Sequence, residues 1–150
     1  MKYLIFFLFT LLLNFSICDK TGLTNIPSFL KIIPSNKRTE VEGIVLNQTL
    51  SQNEMYQKLD NWANTLGQAF NSLYKSYKKA FLEAKKELKE KHNLMLQSET
   101  DEDFKKVDAQ IQSIADNYDM PIGEVRYEIL QIINNQTDAI KEKLKEKSPY

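Results

Sequence analysis

Apolar residues recur at spacings of three and four along most of the chain. Val41, Ile44 and Val45 open the series, followed by Met55, Leu59, Trp62, Ala63 and Leu66. A longer set runs through Phe70, Leu73, Tyr74, Tyr77, Phe81, Ala84, Leu88 and Met95. Three more follow: Phe104, Val107, Ile111, Ile114 and Ala115; Ile122, Val125, Ile129, Ile132 and Ile133; and Ile140 with Leu144. Each set falls on one face of a helix. Period-two alternation is never sustained and β-branched runs are scarce, so the pattern predicts an all-α fold.

Polar residues mark the boundaries. Ser35 is read as the N-cap of a short first helix ending near Leu46. Ser51 followed by Glu54 forms a capping box, with Leu50 and Met55 placed as a hydrophobic staple, so a helix starts at Gln52. Gly67 ends or bends it. The next helix extends to about Gln97; at 1.5 Å per residue it is roughly 45 Å long, so its far end must project or be covered by another helix. Thr100 is read as the following cap, with Asp101, Glu102 and Asp103 complementing the helix N-terminus. Pro121 is read as a first helical residue, and the last helix frays into "KEKLKEKSPY". The segment "EAKKELKEK", with Glu87 and Lys91 at a favourable spacing, reads as a solvated face.

Two of these helix pairs are in phase at an offset of seventy residues. Ile44 meets Ile114, Asn47 meets Asn117, Glu54 meets Glu124, Asn64 meets Asn134 and Ala69 meets Ala139. Val41, Leu59, Trp62 and Phe70 meet Ile111, Ile129, Ile132 and Ile140. The expectation is a helical bundle of two helix-turn-helix units joined by a long central helix, with a turn of about five residues in each unit.

The N-terminus changes the picture. Lys2, the apolar run Tyr3 to Leu13, and Ser16 and Cys18 just before Asp19 read as a signal peptide over residues 1–18. The run is short of the roughly 20 residues that span a bilayer, so no stable membrane anchor is expected. Residues 19–34 read as an extended arm, 35–147 as the helical domain and 148–150 as a tail. Removal of the leader takes away the chain's one cysteine, excluding a disulfide framework. It also removes Lys2 from a charge balance of 20 basic against 20 acidic residues, leaving no electrostatic case for nucleic acid. In a secreted chain the Asn47 and Asn135 sequons are candidate glycosylation sites.

The candidate chemistry is sparse. Paired helix-turn-helix units invite comparison with EF-hands, which need about twelve loop residues with alternating oxygen ligands. "LNQTL" is too short and lacks a carboxylate, and "DNYDMPIGEV" places Tyr118 and Met120 where ligands belong. A hydrated Mg²⁺ needs only one or two carboxylates. Asp101 and Asp103 with Glu102, or Asp116 and Asp119, are weak metal candidates, with helix capping as the preferred reading. His92 lies in the row of Ala84 and Leu88 and reads as packed at a helix edge. No nucleophile elbow, second histidine or glycine-rich phosphate loop is present, so an enzyme is not expected. The aromatic row Trp62, Phe70, Tyr74, Tyr77 and Phe81 offers an alternative, a carrier of small apolar ligands such as fatty acids or retinoids, against ordinary helix packing.

"PSFL", the Leu-Ser cap, "LDNWANTLG", the long helix with its acidic end and "IQSIADN" before an Ile-rich helix together resemble the nematode secreted SXP/RAL proteins, which include anisakid-type allergens and filarial antigens. The likeness covers about Pro27 to Leu144. It implies a secreted, all-helical, non-enzymatic antigen acting at the parasite and host interface, with host or other extracellular proteins as partners and Mg²⁺ as the candidate cation. It implies no numbered metal ligand. The second unit begins with Met120-Pro121 where a hydroxyl cap belongs, so the two turns are not expected to do the same job.

Overall fold

The computed structural model describes residues 33–148. In order they form α1 (Ser35–Val45), α2 (Gln52–Thr65), α3 (Gln68–Ser98), α4 (Glu102–Ala115), α5 (Ile122–Asn134) and α6 (Asp138–Lys147). Residues 1–18, read from the sequence as a signal peptide, residues 19–32 of the expected arm and the last two residues of the expected tail lie outside the described residues. The fold is all-α, with two helix-turn-helix units, α1–α2 and α4–α5, joined by the long α3.

Local chemistry sets the helix ends. The Ser51 hydroxyl accepts the Glu54 N–H at 3.2 Å and the Glu54 carboxylate accepts the Ser51 N–H at 2.8 Å, completing the capping box. Gly67 has φ of +92°, a conformation that favours glycine, and it separates α2 from α3 rather than bending one helix. Three boundaries differ from the sequence reading. Ser35 is the first helical residue and Pro34 holds the cap position, its carbonyl accepting from Lys37 and Arg38 N–H. Asp101, not Thr100, caps α4: its carboxylate accepts the Phe104 N–H at 3.0 Å, while the Thr100 N–H is taken by Glu99 Oε1. Pro121 precedes α5 instead of opening it, because its extended ψ of 135° pairs it with Ser51 across an antiparallel bridge.

The offset of seventy residues is a property of the fold. Helices end at Val45 and Ala115, and begin at Gln52 and Ile122, then at Gln68 and Asp138. The repeated unit therefore has three helices, with the start of α3 in one copy standing where α6 stands in the other. The turns, Leu46–Ser51 and Asp116–Pro121, are one residue longer than expected, because α1 ends at Val45 rather than Leu46 and Pro121 remains outside α5.

Each unit has its own core. One gathers Ile33, Val41, Trp62, Ala63, Phe70 and Tyr74, with Ile44, Val45, Leu59 and Leu66 around them. The other gathers Phe104, Val107, Ile111, Ile129, Ile140 and Leu144, with Ile114, Ala115, Ile132 and Ile133 among its flanking residues. Val41, Ile44, Val45, Leu59, Trp62, Ala63, Phe70 and Tyr74 thus correspond, seventy residues on, to Ile111, Ile114, Ala115, Ile129, Ile132, Ile133, Ile140 and Leu144. Burying side chains of this size contributes about 1.5–3 kcal/mol each. A small third cluster of Leu50, Met55 and Ile122 ties the units together. The far end of α3 is covered, since Met95 and Leu96 pack on the second core.

Candidate functional site

The two turns bind each other. The Asn53 N–H donates to the Tyr118 carbonyl at 3.1 Å, and the Gly123 N–H donates to the Gln48 carbonyl at 2.9 Å. Either bond becomes the other when its residues are exchanged through the offset, so the bridge lies on the pseudo-two-fold axis. The Ile122 N–H adds a bond to the Leu50 carbonyl at 2.9 Å. Side chains reinforce the pairing: Asn53 Nδ2 donates to Asp119 Oδ1 at 2.7 Å, and Arg126 Nη1 to Gln48 Oε1 at 3.1 Å. Any ligand taken up by the turns must fit around this bridge.

Lysines of α3 face the same region. Lys78 Nζ donates to both Asp60 oxygens at 2.8 Å and lies 5.2 Å from the Tyr56 ring centre. Lys85 Nζ lies 4.6 Å from the Tyr118 ring centre and 3.4 Å from Gln52 Oε1, and Lys89 pairs with Asp116. Spacings of seven and four place these three on one helix face. Within "EAKKELKEK", Lys85 and Lys89 therefore point toward the turns, whereas Lys86 and Glu90 form an exposed pair at 3.8 Å. Burial pushes the Tyr56 phenol up to about 12 and raises Tyr77. Tyr74 is raised by burial and by its hydroxyl bond to Asp60 at 2.9 Å.

The four acidic candidates for a metal are spread over separate tasks. Asp101 caps α4 and pairs with Lys143, which holds its carboxyl below the usual range. Asp103 stands exposed in the first turn of α4. Asp116 pairs with Lys89 and Asp119 accepts from Asn53. Among the described residues no three His, Cys, Asp or Glu side chains come together as a metal-holding group. Three of the four carboxylates already receive an ammonium or amide donor, so the donor set does not fit a resident divalent ion.

The polar centre that sequence reasoning missed lies between α3, α4 and α6. His92 is 5% exposed rather than at a helix edge, and Asp108 is fully buried. His92 Nε2 is 2.8 Å from Asp108 Oδ2, and Nδ1 is 3.1 Å from the Lys147 carbonyl oxygen. Gln112 Nε2 donates to the same Asp108 oxygen at 2.7 Å, while Asp108 Oδ1 is buried without a hydrogen-bond partner. The signal was in the sequence: Asp108 stands one residue after Val107 and three before Ile111, a charge on the apolar face of α4. Beside it, Lys147 Nζ pairs with Glu99, and this bond pushes the Glu99 carboxyl down to about 2.

The aromatic row is divided between packing and the α3 face. Trp62 and Phe70 meet edge to face with centres 5.5 Å apart, and with Tyr74 they belong to the first core. A cleft of about 680 Å³ lies beside α3, lined by Asp60, Asn64, Lys75 and Lys78 together with Leu82. Both sequon asparagines are exposed. Asn47 Oδ1 accepts from the Thr49 hydroxyl at 2.7 Å, and Thr137 caps α6 by accepting the Ile140 N–H. Among the described residues no helix is long and apolar enough to cross a membrane.

Residues 1–146 match the family model described as SXP/RAL-2 family protein Ani s 5-like, metal-binding domain. No curated protein and no solved structure matches the chain.

Proposed function

Because the chain belongs to the SXP/RAL-2 family, Ani s 5-like, we propose that it is a secreted, non-enzymatic helical antigen that meets other proteins outside the cell, at the interface of a parasite with its host. The observation that carries this reading is the outward side of α5. Tyr127 is 64% exposed and Leu130 48%, where the first unit has Gln57 and Asp60. The two cores are otherwise matched, so this difference lies on a surface that folding does not require to be apolar. Exposed tyrosine and leucine side chains one helical turn apart suit a protein partner.

The polar groups support the same reading by their commitments. His92, Asp108, Asp101 and Asp116 each join one helix or turn to another. The Asp101, Asp116 and Asp119 carboxylates are bonded to lysine and asparagine.

Expression of the full chain in a eukaryotic secretory host tests the reading. The expected product appears in the medium, begins at Asp19 and carries N-glycan at Asn47 or Asn135. Retention inside the cell with Met1 intact would remove the extracellular role. Replacing Tyr127 and Leu130 by the first unit's residue types, glutamine and aspartate, should leave the melting temperature unchanged and abolish binding to the extracellular partner.

A further inference from the structure

The third helix sits differently in the two units. In the first, α3 packs along α2: the Tyr74 hydroxyl and Lys78 both bind Asp60, and Phe70 meets Trp62. In the second, α6 packs on α4 and leans away from α5. It also ends at Lys147, so Ser148 stands where the first unit has Lys78 and a helix that runs on. The side of α5 that corresponds to the covered side of α2 is therefore open. Its residues reverse what solvation alone predicts. Asp60 is half-buried under α3, whereas its counterpart Leu130 is 48% exposed and Tyr127, one turn away, 64%. Along the edge of this apolar pair stand Glu124 and Glu128, both exposed and without an ion pair among the described residues.

A surface of opposite charge lies on α3. Lys75, Lys79, Leu82 and Lys86 follow one another at spacings of four, three and four on one helix face, and they line the cleft beside α3. Lys75 has no ion pair among the described residues. Lys79 and Lys86 stand 3.9 Å from Glu83 and 3.8 Å from Glu90, in exposed pairs that hold a side chain only weakly. Leu82, 41% exposed, lies in the middle of the row. At 1.5 Å per residue the row runs about 17 Å from Lys75 to Lys86, against about 9 Å from Glu124 to Leu130, so it is long enough to take the α5 surface.

Resting on the reading that this side of α5 binds protein, we propose that its occupant is a second copy of the chain, whose α3 lays Leu82 against Tyr127 and Leu130. The lysines of that α3 face then meet Glu124 and Glu128, which fixes the pairing by charge while the leucines and the tyrosine leave water. The contact gives α5 the helix that α2 already has from its own chain. Because the two surfaces are unlike, two copies that exchange them reciprocally close a two-fold dimer and cover both α5 helices at once. An extracellular protein that uses Tyr127 and Leu130 binds the single chain, in competition with the dimer.

Sedimentation of the full chain, expressed in the secretory host, reads the contact directly. The wild type is expected as a monomer–dimer equilibrium whose dissociation constant rises as salt screens the charges. Lys75→Glu with Lys79→Glu on the cleft, or Glu124→Lys with Glu128→Lys on α5, should each raise that constant by about tenfold or more, since like charges then meet. An equimolar mixture of the two variants should restore the dimer, because both of its contacts pair opposite charges again. A wild type that stays monomeric through the millimolar range overturns the inference, as does a mixture of folded variants that fails to associate. If a charge variant does not fold, Leu82→Gln tests the same contact at one exposed position, and an unchanged dissociation constant there also overturns it. The cleft variant keeps Tyr127 and Leu130. A monomeric wild type and cleft variant that both still bind the extracellular partner, with binding lost in Tyr127→Gln with Leu130→Asp, would sink the dimer and leave the reading of α5 standing.

Discussion

Gly123 lies against Gln48. Its N–H donates to the Gln48 carbonyl at 2.9 Å, and a Cβ at Gly123 would stand 3.1 Å from that same oxygen and 3.3 Å from the Gln48 Cβ. The counterpart in the first unit is Asn53, whose side chain reaches Asp119. One unit thus gives the bridge closeness and the other gives it a side-chain bond.

Gly123→Ala should therefore loosen the bridge. The oxygen it would crowd is main chain and already bonded, so relief must come from a shift of the turn; overpacking of this kind costs about 1–3 kcal/mol. Gly43 provides the control, since nothing lies within 4 Å of its added Cβ and it is inside α1. Gly43→Ala should stabilise by about 0.4–1 kcal/mol. Urea unfolding of the two variants checks the opposite signs, and amide exchange at Asn53 should rise only in Gly123→Ala.

The capping box gives a second expectation. Ser51 is buried and makes both reciprocal bonds with Glu54 while pairing with Pro121. Ser51→Ala should cost about 0.5–2 kcal/mol in chemical unfolding. Thr137→Ala removes a longer cap bond, 3.4 Å, and should lie at the lower end of that range.

These local features were legible in the sequence, and the reason is short range. The capping box spans four residues, and apolar spacing reported both cores before any contact was known. The offset itself was visible in pairs such as Leu59 and Ile129. What was not legible depends on which distant groups meet. The bridge between Ser51 and Pro121, the turn of Lys85 and Lys89 toward Tyr118 and Asp116, and the pairing of His92 with Asp108 all follow from how the units dock. Local pattern also placed the cap of α4 at Thr100 and opened α5 at Pro121, whereas the Thr100 N–H is taken by Glu99 and Pro121 stays outside the helix, paired with Ser51.

Acid should loosen α6. Lys147 holds Glu99 down to about 2 and Lys143 holds Asp101 below its usual range. Lowered values of this kind contribute stability that is complete above the unfolded values, about 4.3 for Glu and 3.9 for Asp, and is lost as pH falls through the folded values. Between about pH 4 and pH 2 the protection of α6 amides should fall further than that of α2. Glu99→Gln should flatten part of this acid response and leave behaviour at neutral pH close to that of the unaltered chain.

The central claim is that the paired turns are closed by main-chain bonds and by lysines of α3, with no resident divalent ion. A thermal melt of the metal-stripped protein, titrated separately with Mg²⁺ and Ca²⁺ at constant ionic strength, tests it most directly. The predicted result is a melting temperature that neither ion nor chelator moves through the millimolar range. A saturable rise with either ion would contradict the claim, since a ligand at one hundred times its dissociation constant adds about 2.7 kcal/mol of stability.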